Sequence, residues 1–340
     1  MKLIIILKLF FKSLACKITF LRLFNNGTFC KQAGFHLSLH TMFENLLPRI
    51  TSGDFQALAR AISLVENDAP GYFEWLKSLP ASEVKIIGIT GAPGSGKSTL
   101  VDGLINGFIS EKKKVGVLCI DPSSPFHRGA ILGDRIRMND WYTHPDVFIR
   151  SLSSKGSLGG LNPRTLSIAD VMKVAGFDII IIETVGVGQN EVEIASLADA
   201  TVVVMVPESG DSMQTLKSGL LEVADIFVVN KCDRPGADIF IKNLLSTMGH
   251  GFKKNENNIP VIKTNALIRE GIPELLQEIY KQLQVQKNDG ARTKLLAQRA
   301  WFEIQQYRMQ GITQELLEKE IEKFPTENFN LYLFLEKYMQ

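Results

Sequence analysis

Residues 85–99 read KIIGITGAPGSGKST, and the junction inside this stretch decides the architecture around it. KIIGIT is a short β-branched apolar run of the kind that fills a fully buried strand. It passes directly into Gly91-Ala92-Pro93-Gly94-Ser95-Gly96-Lys97-Ser98, which matches GxxxxGK[ST], and then, from Thr99, into a segment with helical patterning. A glycine-rich turn between strand and helix is the context this motif requires. Its glycines let backbone N–H groups converge on a phosphate at a helix N-terminus. The lysine reaches the outer phosphate oxygens, and the serine hydroxyl suits magnesium. Residues 91–99 are therefore the expected phosphate loop of a nucleoside triphosphate site.

Outward from this loop, buried-strand runs recur as KVGVLCID (114–121), DVFIRS (146–151), FDIIIIET (177–184), ATVVVMVP (200–207), DIFVVNKCD (225–233) and IPVIKTNAL (259–267). Helix-length segments separate them. This alternation predicts an α/β fold of the P-loop NTPase type, a mostly parallel sheet covered by helices on both faces. The strand ending in Asp121 is expected beside the P-loop strand. Residues 42–84 read as an N-terminal helical segment, with Leu58, Ile62 and Val65 at helical spacing. Residues 85–285 form the expected nucleotide-binding domain. Residues 286–340 follow as helices, through LLAQRAWFEIQQY and QELLEKEIEKF, and serve either as a packing appendage or as an oligomerisation arm.

The base is indicated by Asn230-Lys231-Cys232-Asp233 at the end of an apolar strand. A carboxylate there accepts two hydrogen bonds from the N1–H and N2 amine of guanine. Adenine has no matching donor pair and leaves the acceptor unsatisfied, which selects GTP. Thr264-Asn265-Ala266-Leu267, after the last strand, stands where GTPases direct a backbone N–H at the guanine O6. For the metal, Ser98 is joined by two carboxylates at strand ends. Glu183 heads Glu183-Thr184-Val185-Gly186, a DxxG-like element with Glu for Asp, and Gly186 offers an N–H to the γ-phosphate. Asp121 is the second metal candidate, with a helix-capping role before Pro122 as its structural alternative.

The 340 residues are 45% hydrophobic, ample for a packed core and far from a disordered composition. A net charge of +2 calls for neither nucleic acid nor an anionic membrane as partner. Residues 1–43 hold six Lys and Arg and no Asp or Glu, so the remaining body is mildly acidic. The longest apolar run of this leader before a charge is LIIIL, too short for a signal-peptide core or a membrane span. Residues 1–41 are expected to be a disordered extension or sequence upstream of a start at Met42, with an organelle transit peptide as the alternative. Cys16, Cys30, Cys119 and Cys232 form no CxxC pair and no metal-ligand spacing, which fits a reducing, cytoplasmic compartment.

Taken in order, GAPGSGKST, IDPSSPF, GAILGDRIRM, GSLGGL, ETVGVGQNE, PESGDSMQTLKSGLLEVAD and NKCD closely resemble the MeaB/ArgK family of P-loop GTPases, associated with methylmalonyl-CoA mutase and also called LAO/AO transport ATPases. The resemblance runs from about residue 45 to 310. It implies a GTPase chaperone that gates adenosylcobalamin delivery to a cobalamin-dependent acyl-CoA mutase and protects it, as a homodimer joined by C-terminal helices. It further implies that Asp121, Asp134 and Glu183 surround magnesium and the attacking water. Lys217 is then implied to move toward the nucleotide when the mutase docks.

The chain departs from that family at three places. His127-Arg128-Gly129 replaces a glycine pair, Asn265 replaces a serine, and no glutamine directly follows Gly186, Gln189 lying three residues on. Slow intrinsic hydrolysis, accelerated by a partner, is the expectation. The competing readings are a metal-insertion GTPase and a transport-associated ATPase or kinase. NKCD disfavours ATP, and the isolated Cys119 and His127 disfavour a metal carrier.

Overall fold

The computed structural model describes residues 42–121, 138–153, 164–184, 193–207, 223–251, 259–285, parts of 293–309, 311–324 and 329–339. The leader 1–41, the triplet His127-Arg128-Gly129, Asp134, the GSLGGL stretch, Gly186, Gln189 and Lys217 lie outside these residues.

Helices α1 (Leu46–Thr51), α2 (Phe55–Glu66) and α3 (Tyr72–Lys77) come first, before β1 (Lys85–Thr90) and α4 (Lys97–Ser110). β2 (Val115–Asp121), β3 (Val147–Ser153), α5 (Thr165–Lys173), β4 (Ile179–Glu183), β5 (Ala200–Met205) and β6 (Ile226–Val229) follow. The chain continues through α6 (Ala237–Gly251), β7 (Val261–Lys263), α7 (Ile272–Gln284), α8 (Gln314–Ile321) and α9 (Leu331–Met339). Among the described residues no helix is long and apolar enough to cross a membrane.

The seven strands form one sheet in the order β3-β2-β4-β1-β5-β6-β7, and every pairing is parallel. All seven expected strands are present. One expectation is corrected: β2 does not neighbour the P-loop strand β1, because β4 lies between them and pairs with both. The reason is in β4 itself. Its four consecutive isoleucines, all buried, suit a central strand covered on both faces.

Residue alternation divides the core into two layers. Ile86, Ile180 and Ile182 join Leu118, Ile120 and Phe148 beneath α2 and α5, where α2 lays down Leu58, Ile62 and Val65, each fully buried. Ile87, Ile89, Ile179 and Ile181 face the other way, onto Leu100, Leu104 and Phe108 of α4 and Leu275 and Ile279 of α7. A smaller cluster seats Leu244 of α6 on Val203, Phe227 and Val229. The N-terminal end of α2 is fixed by Asp54, whose side chain accepts from the backbone N–H of Gln56 and Ala57. Those bonds and the Arg49 guanidinium hold its carboxyl below the usual value. Because β1, β4 and β6 end on the same side of the sheet, the phosphate loop, Glu183 and the NKCD turn emerge together.

Candidate nucleotide-binding site

The loop between β1 and α4 requires its glycines. Gly91 has φ +137°, and a Cβ there would lie 2.1 Å from the carbonyl oxygen of Val204 in β5. Gly96 has φ +90°, and its Cβ would meet Asn230 Nδ2 at 2.3 Å. Any side chain at either position collides with the neighbouring strand or with the base loop. Inside this turn the Lys97 ammonium folds back and donates to the carbonyls of Gly91 at 2.8 Å and Ala92 at 3.1 Å. Ser95 is fully buried, Pro93 and Gly94 are exposed, and Thr99 is half-buried.

Directly beyond the loop, Ser98 donates its hydroxyl to Glu183 Oε1 at 2.7 Å, and both residues are buried. β4 delivers this carboxylate because its last residue aligns with Ile89 of β1 and Cys119 of β2. Thr184 continues the strand end. Its N–H donates to Ile89 and its hydroxyl to Thr90. The Ser98–Glu183 pair is a hard oxygen donor set, the chemistry that magnesium selects. The residues present thus fit that ion. Asp121 closes β2, aligned with Ser153 of β3.

Asn230 is the knot of the base end. Its Nδ2 donates to the carbonyl of Ser95 at 2.8 Å, while its Oδ1 accepts from Thr264 Oγ1 at 3.1 Å and from the Ala266 N–H at 3.0 Å. One side chain thereby ties the phosphate loop, β6 and the segment after β7. Lys231, at φ +57°, adds a second link by donating to Gly94 at 2.8 Å. Asp233 stands exposed in the same turn, and the Cys232 N–H donates to the carbonyl of Thr264 at 3.1 Å, which sets this turn beside the segment that carries Asn265, Ala266 and Leu267. The Cys232 thiol is partly buried in this turn. Burial, then the charges of Glu270 and Asp233, push its pKa up, so it stays protonated.

The structure therefore brings together Gly91 to Thr99, Glu183, Asn230, Lys231, Asp233 and Asn265 to Leu267. Sequence reading does not reveal the threefold tie made by Asn230. It also misses the contacts of Asp102 with Trp141 and Arg269, because partners 39 and 167 residues apart leave no local pattern.

Residues 58–321 match the family described as methylmalonyl Co-A mutase-associated GTPase MeaB. A Pyrococcus abyssi protein that carries a GTPase name is 46% identical over 254 residues, spanning 73% of this chain and 78% of its own length. A Geobacillus kaustophilus protein named fused isobutyryl-CoA mutase is 39% identical over 211 residues, which are 58% of this chain and 19% of that larger protein. Among solved structures, one described as an LAO/AO transport system kinase superposes with a TM-score of 0.62 at 27% identity, covering 83% of this chain and 87% of its own.

Proposed function

The chain belongs to the MeaB family of mutase-associated GTPases, and from that premise we propose that it is a GTP-hydrolysing chaperone of a cobalamin-dependent acyl-CoA mutase. The observation that carries the reading is the fused relative, in which a segment like this one shares a polypeptide with a mutase. Covalent linkage raises the effective concentration of two modules that act on each other. The client would be a separate mutase of the same chemical class, and the cargo adenosylcobalamin.

Each residue then has a task. Asp233 accepts the guanine donors, and the Ala266 turn faces O6. Lys97 leaves the carbonyls of Gly91 and Ala92 for the β- and γ-phosphate oxygens. Ser98 and Glu183 would hold magnesium, which supplies charge stabilisation on the phosphates when bound, with Asp121 and Asp134 as the further carboxylates expected there. Gly186 would direct an N–H at the γ-phosphate. With no glutamine directly after Gly186, hydrolysis in the free protein is slow. Lys217 then brings a cation when the mutase docks, an effect that arginine fingers show to be worth roughly 10³–10⁵ in rate.

Dimerisation through the C-terminal helices is supported by the apolar side chains they leave exposed, among them Trp301, Ile304, Leu331, Tyr332 and Leu333. A second reading, a transport-associated kinase, has the LAO/AO structure in its favour. Single-turnover hydrolysis of GTP and of ATP, with and without a cobalamin-dependent acyl-CoA mutase, separates the two. GTP turnover accelerated by mutase, and lost from Lys217→Ala with basal binding intact, supports the chaperone. Equal use of ATP, or no response to mutase, refutes it.

A further inference from the structure

Asp102 lies on α4, a little over one turn beyond Lys97, and both of its carboxylate oxygens are engaged by distant parts of the chain. Oδ1 accepts from Trp141 Nε1 at 2.7 Å, and Oδ2 accepts from Arg269 Nη2 at 3.3 Å. Trp141 is buried, 8% exposed, in the short turn Asn139–Trp141 that leads into β3. Its indole N–H fixes the orientation of the carboxylate that Arg269 meets.

Arg269 closes the loop that carries the expected base contacts. This loop is a tight excursion: Asn265 and Glu270 exchange backbone hydrogen bonds at 3.1 and 3.2 Å, and residues 266–269 form the turn between them. Its tip has no packing of its own, since Leu267 is 84% and Ile268 is 66% exposed. Arg269 holds a left-handed φ of +61°, which a non-glycine residue keeps only when its surroundings impose it. Two side chains supply that constraint from opposite ends. Asn230 grips the Ala266 N–H at the start of the turn, and Asp102 grips Arg269 at its end.

We propose that Asp102 is a positioning residue for guanine recognition: through Arg269 it holds the 265–270 loop against the P-loop helix, with Trp141 locking the carboxylate in place. This inference rests on the guanine-nucleotide reading above. The contact joins the element that begins in the phosphate loop to the element that faces the base, so it links the two ends of one nucleotide.

The test is a double-mutant cycle on GDP affinity, measured by calorimetry on the full chain, together with Trp141 emission taken as parent minus Trp141→Phe. Asp102→Asn keeps an acceptor for the indole and removes the charge that Arg269 needs, while Arg269→Ala removes the other partner. Each single change raises the GDP Kd about two- to fivefold, the range of a half-exposed ion pair. The double variant is no weaker than either single one. The GDP-induced change in Trp141 emission, present in the parent, is lost in Arg269→Ala saturated with GDP. Effects that multiply in the double variant, an unchanged GDP Kd in both singles, or an emission change that survives Arg269→Ala would each overturn the proposal. A parent that binds no guanine nucleotide would refute the GTPase reading itself, and the proposal with it.

Discussion

Replacing Asn230 by alanine tests the site as a connected object. Asn230 is 2% exposed and makes three hydrogen bonds, to the carbonyl of Ser95, the hydroxyl of Thr264 and the N–H of Ala266. Ser95 and Thr264 are fully buried and Ala266 nearly so, so none of the released groups finds water at its old position. At about 1 kcal/mol for each buried bond, Asn230→Ala costs ~3 kcal/mol of stability even before any nucleotide is added. For a domain of this size that lowers Tm by roughly 6–12 °C. Thermal unfolding followed by circular dichroism in nucleotide-free buffer gives the number directly. GTP affinity falls as well, because the phosphate loop and the base loop lose their common anchor. A Tm within ~2 °C of the parent would refute the idea that one amide holds these elements together, and would leave Lys231 and the strand pairing as sufficient.

Two further changes separate base chemistry and surface linkage from that scaffold. Asp233→Asn, on an exposed side chain, leaves Tm unchanged but presents amide donors to guanine's own donors; GTP affinity falls by ~2 kcal/mol or about 30-fold, and xanthosine triphosphate binds better than GTP. Retained preference for GTP in a competition assay would remove Asp233 from base selection. Glu303 carries a carboxyl whose pKa is raised by burial, against the opposing effects of the Ser167 hydroxyl and the Arg164 guanidinium and alongside the charges of Asp170 and Asp68. A raised folded-state pKa means that its contribution is full below the unfolded value of 4.5 and is lost as pH rises through the folded value. The Tm of the parent minus that of Glu303→Gln therefore falls as pH rises above the unfolded value of 4.5; a flat or rising difference contradicts it.

Most of the fold is legible in the chain because its parallel strands are buried on both faces and write themselves as uninterrupted apolar runs. FDIIIIET is the plainest case. Strand order was less legible: both KVGVLCID and FDIIIIET are apolar enough to sit beside the P-loop strand, and only the pairing of β4 with both β1 and β2 separates them. At the site, the phosphate loop and NKCD are readable because each is a contiguous stretch whose backbone must turn in one way. The meeting of Ser98 with Glu183, 85 residues apart, follows from a motif at each end. The contacts of Asp102 follow from no motif, since an aspartate on a helix face looks the same whether it touches solvent or an arginine from the far end of the domain.

The placement of α2 has a consequence for synthesis. Its apolar stripe, Leu58, Ile62 and Val65, is covered by β2, β3, β4 and α5, all of which lie later in the chain. Arg150 of β3 reaches back to Ser63 and Glu66, and Arg164 reaches Asp68, across similar spans. A ribosome adding roughly 5–20 residues per second needs on the order of ten seconds to pass from the end of α2 to the end of β4. For that interval the helix has α1 beside it, through Leu46 and Ile50, but lacks the completed sheet face that covers its stripe in the finished fold. Nascent chains halted before Glu183 should therefore be the ones that recruit holdase chaperones, and chains extended beyond it should release them.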